Sequence, residues 1–477
     1  MGSSFSISIT DVVRLLALEQ DPKTRPGSPS YNVRCPFCDT PSDRRYHMNI
    51  SEAKDAYRCV RCSGDEKNLG VLDLYSRVRF GCPASQKGAG YVFKALSEEL
   101  HLDSNTIRRA APVNSKPSYR VIKPASDTQL HEAYSALLGL PYVSLTSQHR
   151  LNLLRRGLGT IDIARNGYGS IVLNERITKH PYYDTARKIC NEKKNLIEQN
   201  PKLARQKKLA LIAGIIIAHD LEECGIKLKR VPGFFRLDKV WCMKADEGML
   251  IPTRNRLGQI VGIQTRTDAV YREGLRYITL SSKDLEEGPN TDISRIHFPL
   301  GNADIETAGI VGLTEGPLKA DIAAALFRKP AFIMAVQGVN NTRELDSIIS
   351  GFDSSIRTVW NMLDMDRFVN VHVQKAACAI EAKFRKRNME FRSLVWDRTS
   401  LDSLYENIRK TCVSSDIVFP EMIPGREDEW IRQVFSSFEA NKVSLESRYL
   451  ECCGEDLKWH SDSKGIDDFL NREKNKK

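Results

Sequence analysis

The chain has no long hydrophobic run. Its longest apolar stretch, residues 210–218 with Gly214 inside it, falls well short of the roughly 20 residues that a bilayer span needs. No membrane segment is therefore expected, and with no apolar secretory core near the start the sequence reads as cytoplasmic. Glycine (29) and proline (20) are modest, which excludes collagen-like and mucin-like chains. Nothing matches G-x-x-x-x-G-K-[ST], so no nucleotide-driven motor of that type is expected. What remains is 41% hydrophobic and 27% charged, the mix of an ordinary soluble protein. At roughly 100–200 residues per domain, 477 residues suggest about three domains.

Lys and Arg outnumber Asp and Glu by 71 to 60, and the excess is local. Residues 1–100 hold 14 basic and 12 acidic side chains, residues 101–305 hold 32 and 21, and residues 306–477 hold 25 and 27. The balances are +2, +11 and −2, so the middle third carries a surplus equal to that of the whole chain. Concentrated positive charge suits a nucleic-acid or polyphosphate surface, the plain alternative being a basic face kept for solubility.

Of the 12 cysteines, four form Cys35-Pro-Phe-Cys38 and Cys59-Val-Arg-Cys62, a C-x2-C-x20-C-x2-C spacing. Each pair offers two thiolates from a tight knuckle, which predicts a closed tetrahedral zinc site with a structural role. The segment between, 44–50 and 56–58, reads as two short strands that fold the knuckles together. Helices are expected over 9–18, 70–78 and 94–102. Residues 103–127, with three prolines and scattered Ser, Asn and Lys, read as a linker.

The last third alternates strand and helix. Strands are expected over 309–313, 331–336 and 358–363, with helices over 318–327, 342–350 and 367–387. Such alternation implies a parallel sheet covered on both faces, with ligands beyond the carboxyl ends of its strands. Glu315-Gly316, Gln337-Gly338 and Asp364-Met365-Asp366 all fall at that edge. Glu315 with the Asp-x-Asp pair makes an oxygen-rich cluster suited to Mg²⁺ or Mn²⁺. The alternative is three ordinary loop acids or helix caps.

Leu313-Thr314-Glu315-Gly316 and Leu363-Asp364-Met365-Asp366 resemble the marks of the TOPRIM domain shared by bacterial-type primases, topoisomerases and some nucleases. Lys464-Gly465-Ile466-Asp467-Asp468-Phe469-Leu470 is similar to the third acidic motif of such domains in primases. A zinc ribbon ahead of a TOPRIM core is the arrangement of DnaG-like primases. Leu154-Arg155-Arg156-Gly157-Leu158, residues 251–262, Arg266 and Arg276-Tyr277-Ile278 resemble parts of their core. Departures are Cys38 where the zinc motif usually has His, and Lys319 where an Asp is common, with Asp321 two residues on. Residues 181–230 and 397–455 look like insertions.

The resemblance implies a multidomain α/β and α+β chain. Its parts are a zinc-ribbon module over 1–102, the 103–127 linker, a mixed α+β primase-core subdomain over 128–305, and a TOPRIM parallel-sheet domain over 306–477. It implies RNA primer synthesis on single-stranded DNA from nucleoside triphosphates by two-metal nucleotidyl transfer, as a mobile-element or phage-type variant. Glu315, Asp364 and Asp366 would hold Mg²⁺ or Mn²⁺, aided by Asp467 and Asp468. Arg254, Arg256, Arg266, Arg276 and Lys283 would grip triphosphate and template. Cys35, Cys38, Cys59 and Cys62 would hold zinc, with exposed Tyr46, His47, Tyr57 and Arg61 available to the template. A monomer is expected, with a replicative helicase acting in trans. A TOPRIM nuclease and a non-catalytic zinc-ribbon protein that binds single-stranded DNA are the alternatives.

Overall fold

The computed structural model describes the chain apart from residues 1–6, 25–27, 39–44, 64–68, 101–121, 201–202, 205, 269–275, 284, 293, 354, 462 and 477. It forms two compact units, Met1–Ser118 and Tyr119–Lys477. Among the described residues no helix is long and apolar enough to cross a membrane.

In the first unit, Ser8 opens the helix Ile9–Leu15 through a capping box with Asp11. Strands β1 (Ser30–Val33), β2 (Met48–Ser51) and β3 (Ala56–Cys59) form an antiparallel sheet in that order. The sequence predicts only the last two. β1 is four residues long, and its period-2 signal is Tyr31 and Val33 alone, both buried. These pack with Met48, Ile50 and Tyr57 against Leu74 and Tyr75 of the helix Val71–Phe80 and Val92 and Leu96 of the helix Ala89–Glu99. The latter helix starts five residues before the expected 94.

The second unit contains two main sheets. The first is antiparallel, order β4 (Gly169–Ile171), β7 (Gly248–Arg254), β8 (Ile260–Thr267) and β9 (Tyr277–Thr279). A hairpin of β5 (Phe234–Leu237) and β6 (Val240–Met243) accompanies it. The second is fully parallel, order β11 (Ala331–Val336), β10 (Ile310–Glu315), β12 (Thr358–Asn361) and β13 (Glu390–Ser393). Every residue of β11 is buried, the continuous apolar run of a strand covered on both faces. The expected 367–387 helix is two elements, a 3₁₀ turn Met365–Phe368 and the helix Val371–Arg385. Asn370 separates them and caps the second through its side chain.

Both segments expected as insertions contribute to the core. The apolar run 210–218 lies in the helix Lys208–Glu223, which buries Leu211, Ile212, Ile215, Ile216, Ile217 and Leu221 at about 1.5–3 kcal/mol each. Gly214 is required because an added Cβ would sit 2.0 Å from the Met243 carbonyl oxygen of β6. Residues 397–455 form the helices Arg398–Ser414, Glu427–Ala440 and Leu445–Cys453, whose Trp430, Phe438 and Tyr449 complete the core beside the parallel sheet. Residues 103–121 of the expected linker lie outside the described residues. Its last stretch is anchored: the Ala125 amide donates to the Arg230 carbonyl at 2.8 Å, and Arg230 donates back to the carbonyls of Lys123 and Pro124.

Candidate active site

The parallel sheet delivers its acids to one edge. β10 ends on Glu315, Gly316 turns the chain at φ +87°, and Pro317 starts the helix Pro317–Leu326. The Gly316 amide is held by the Val336 carbonyl of β11 at 2.8 Å. Beyond β12, Asp364 opens the 3₁₀ turn that carries Asp366. That turn is gripped from below by Arg367, whose side chain is fully buried. Its guanidinium donates to the carbonyls of Leu363, Asp364 and Leu394 and pairs with Asp428 at 2.8 Å. Asp428 also accepts from Asn361 and Ser393, so one acid from the 397–455 segment braces the whole turn.

The third acidic motif joins the same edge. The Met365 amide donates to the Lys464 carbonyl, and Gly465 brings the helix Ile466–Asn475 close. A Cβ on Gly465 would stand 2.4 Å from Asp467 Oδ1, 3.5 Å from Asp364 Oδ1 and 3.5 Å from Asp468 Oδ2. Asp467 is 2% exposed, and its Oδ1 has no hydrogen-bond partner while aimed into this cradle. Its other oxygen pairs with Arg156. Asn471 and Lys474 of the same helix donate to the carbonyls of Arg155 and Gly157, so the Leu-Arg-Arg-Gly-Leu segment is locked onto the third acidic motif.

Two ammonium groups sit among these carboxylates. Lys319 Nζ donates to Asp364 Oδ1 at 2.5 Å, and Lys464 Nζ lies 2.6 Å from Asp366 Oδ2 and 3.7 Å from Asp364 Oδ2. Burial raises the Glu315 carboxyl above its ordinary range, opposed by Lys319 and reinforced by Asp364 and Asp366. Burial works against the Lys319 ammonium, yet Asp364, Glu315 and Asp467 hold its pKa above the usual lysine value. Among the described residues Glu315 has no hydrogen-bond or ion-pair partner. Asp321, two residues beyond Lys319, belongs elsewhere. Buried, it accepts from Tyr168 at 2.7 Å and faces His297 Nε2 at 3.0 Å. With the Arg254 amide donating to His297 Nδ1, the imidazole proton sits on Nε2 and points at Asp321.

The basic positions divide. Arg256 and Arg276 are exposed, Arg266 is half-exposed on β8, and Lys283 is exposed. Arg266 pairs across the sheet with Tyr277 of β9, whose hydroxyl accepts from Arg156 at 3.4 Å. Thr279, on the same face of β9, donates to Gln337 just past β11. β9 thus runs alongside the acidic edge. Arg254 corrects an expectation: it is 8% exposed, at a bulge in β7, and donates to the carbonyls of Asn166 and Gly258, both at 3.0 Å. Two of its five N–H donors are spent on main chain, and burial keeps the guanidinium away from a phosphate at the surface.

In the first unit the four cysteine sulfurs lie mutually within 4.8 Å, the one such cluster of three or more His, Cys, Asp or Glu ligand atoms among the described residues. The Cys35–Cys62 and Cys38–Cys59 sulfurs are 3.5 and 3.4 Å apart, near the about 3.8 Å that tetrahedral Zn–S bonds of about 2.3 Å impose. The donor set fits a structural zinc ion. Tyr57 is a second correction. It is buried and donates to Asp73 at 2.8 Å, because the helix Val71–Phe80 covers it. Tyr46 and His47 are half-exposed, as is Arg61, and Tyr46 stacks under Arg34 with 5.2 Å from guanidinium carbon to ring centre.

Sequence reasoning missed Arg156, Lys464, Arg367 and Asp428 as members of the site. Lys464 and Arg367 adjoin acidic motifs, a signal that was present. Asp428 lies in a segment with no motif.

No family model matches the chain, and no curated protein does. Among solved structures it is similar to the zinc-binding and RNA polymerase domains of the Aquifex aeolicus primase, at 14% identity over 98% of this chain and 96% of that one, TM-score 0.36. A DNA primase domain from Pseudomonas aeruginosa matches at 13% identity over 68% of this chain and 96% of that one, TM-score 0.34. The RNA polymerase domain of Mycobacterium tuberculosis primase DnaG, in complex with double-stranded DNA, matches at 12% identity over 66% and 99%, TM-score 0.36.

Proposed function

We propose that the chain is a DNA primase that builds short RNA primers on single-stranded DNA, with residues 128–305 gripping phosphates and residues 306–477 carrying the chemistry. The observation that supports this best is the convergence of Glu315, Asp364, Asp366, Asp467 and Asp468 at one sheet edge beside β9, whose Tyr277 pairs across the sheet with Arg266 and accepts from Arg156. All-oxygen donors and the orphaned, buried Asp467 oxygen fit Mg²⁺ or Mn²⁺, which Glu315, Asp364 and Asp366 would hold. Such an ion supplies Lewis-acid chemistry, lowering the pKa of the attacking 3′ hydroxyl and offsetting charge on the leaving pyrophosphate.

The protein's own groups do the rest. The 3′ hydroxyl of the primer gives its proton to solvent and its oxygen forms a bond to the α-phosphorus of the incoming nucleotide, while the bond to the α–β bridging oxygen breaks and pyrophosphate leaves. Arg156, held by Asp467 and Tyr277, faces the growing negative charge. Arg256, Arg266, Arg276 and Lys283 bind triphosphate and template backbone, whereas Arg254 serves as scaffold. The zinc module positions template through Tyr46, His47 and Arg61. Incubation with single-stranded DNA, labelled nucleotides and Mg²⁺ or Mn²⁺ should yield short oligomers that Asp364→Asn abolishes. Wild-type failure on varied templates with both metals contradicts the proposal.

One observation favours a second reading. Lys319 and Lys464 already neutralise Asp364 and Asp366, as a degenerate core in a DNA-binding protein would allow. Tight DNA binding with no metal-dependent product would select it.

A further inference from the structure

The acidic edge carries its own cations. Five carboxylates (Glu315, Asp364, Asp366, Asp467, Asp468) meet three basic groups (Lys319, Lys464, Arg156) there, for a formal sum of −2. Two divalent ions about 4 Å apart bring four positive charges, twice what this edge offsets without a substrate. Nor do the carboxylate oxygens draw together as a ready-made ligand cage, since the cysteine cluster alone meets that spacing among the described residues. They are bridged through ammonium groups instead.

Lys319 is the decisive member. It rises from the first turn of the helix Pro317–Leu326, four residues past Glu315, and its Nζ lies 2.5 Å from Asp364 Oδ1, the oxygen that also faces the Gly465 cradle. Its side chain is 25% exposed and that of Asp364 is 12% exposed, so solvent screens the pair only partly. An ammonium in that place supplies positive charge and hydrogen-bond donors between the first and second acidic motifs, with no ion to bind or lose.

We propose that Lys319 is a built-in replacement for one of the two cations, so that the protein alone holds a single divalent ion at this edge. The ion sits on the Glu315 and Asp366 side, where Glu315 is unpartnered among the described residues and Lys464 is the more exposed of the two lysines. In catalysis Lys319 then does the charge-stabilising work of the missing ion. This rests on the primase reading for its catalytic meaning but not for its ion count.

The test is a Mn²⁺ titration of the full-length, zinc-loaded chain without nucleotide or DNA, followed by electron paramagnetic resonance. Wild type is expected to bind one Mn²⁺ with no spin coupling, and Lys319→Asp to bind two that couple at short range. Lys319→Gln keeps a neutral chain of similar length and is expected to tighten Mn²⁺ by about tenfold, since a repelling charge is gone. Two coupled ions on wild type overturn the proposal, as does unchanged affinity in Lys319→Gln. If Lys319→Asp loses its melting transition, the wild-type count and Lys319→Gln still decide. Primer synthesis by a wild type that holds two ions sinks this inference alone. The expected ion counts without any primer synthesis sink the primase reading alone.

Discussion

Replacing Asp428 with alanine should damage a site whose acids it never touches. Asp428 neutralises Arg367, which has no exposed side-chain surface and holds the carbonyls of Leu363 and Asp364. Removing one partner of a buried ion pair leaves an uncompensated charge, at a cost of about 3–5 kcal/mol. Asn361 and Ser393 lose an acceptor as well. The second unit spans about 360 residues. At about 2.1 cal/mol/K per residue its unfolding entropy is about 0.75 kcal/mol/K, so Tm should fall by about 4–7 °C. Intrinsic fluorescence is a suitable probe, because Trp430 and Trp396 lie in the same core. Asp428→Asn keeps the shape and should fall between wild type and alanine. At 25 °C, where the alanine variant remains folded, amide exchange at 363–367 should quicken and metal affinity at the edge should drop. A Tm within 1 °C of wild type would refute the bracing role.

Other perturbations follow from the same geometry. Gly214→Ala forces a methyl into the Met243 carbonyl and should cost at least about 1–3 kcal/mol, read from urea unfolding. Arg276→Ala and Arg266→Ala should each flatten the salt dependence of single-stranded DNA binding by about 0.7 in log–log slope. Arg254→Ala should leave that slope alone but lower stability by about 1–3 kcal/mol, as two carbonyls lose their donor. Metal analysis should find one zinc per chain, and Cys59→Ser should release it and unfold the first unit, as circular dichroism would show.

Much of the candidate site was legible because its acids sit at strand ends, where chain direction alone fixes which way they face. The four cysteines were legible for a similar reason, since short spacings leave few geometries. The strand β1 was not, because four residues with two apolar positions carry little periodicity. Arg254 and Tyr57 show the limit of residue type. An arginine in a basic hairpin and a tyrosine near a knuckle look like surface ligands, and only tertiary packing reveals that neighbouring backbone or a covering helix has claimed them. Asp321 could not be placed either, because one helical step decides between the acidic edge and the His297–Tyr168 network. The 397–455 segment gave no motif because its contribution, Asp428 under Arg367, is a long-range pairing of common residues.

On the primase proposal, the Glu315–Asp364–Asp366 edge joins nucleotides under the direction of a template. Mass spectrometry of products made on single-stranded DNA of defined sequence tests it most directly. Oligoribonucleotides complementary to the template, made by wild type and lost in both Glu315→Gln and Asp366→Asn, are the predicted result. Products unrelated to the template, or DNA fragments in their place, would contradict it.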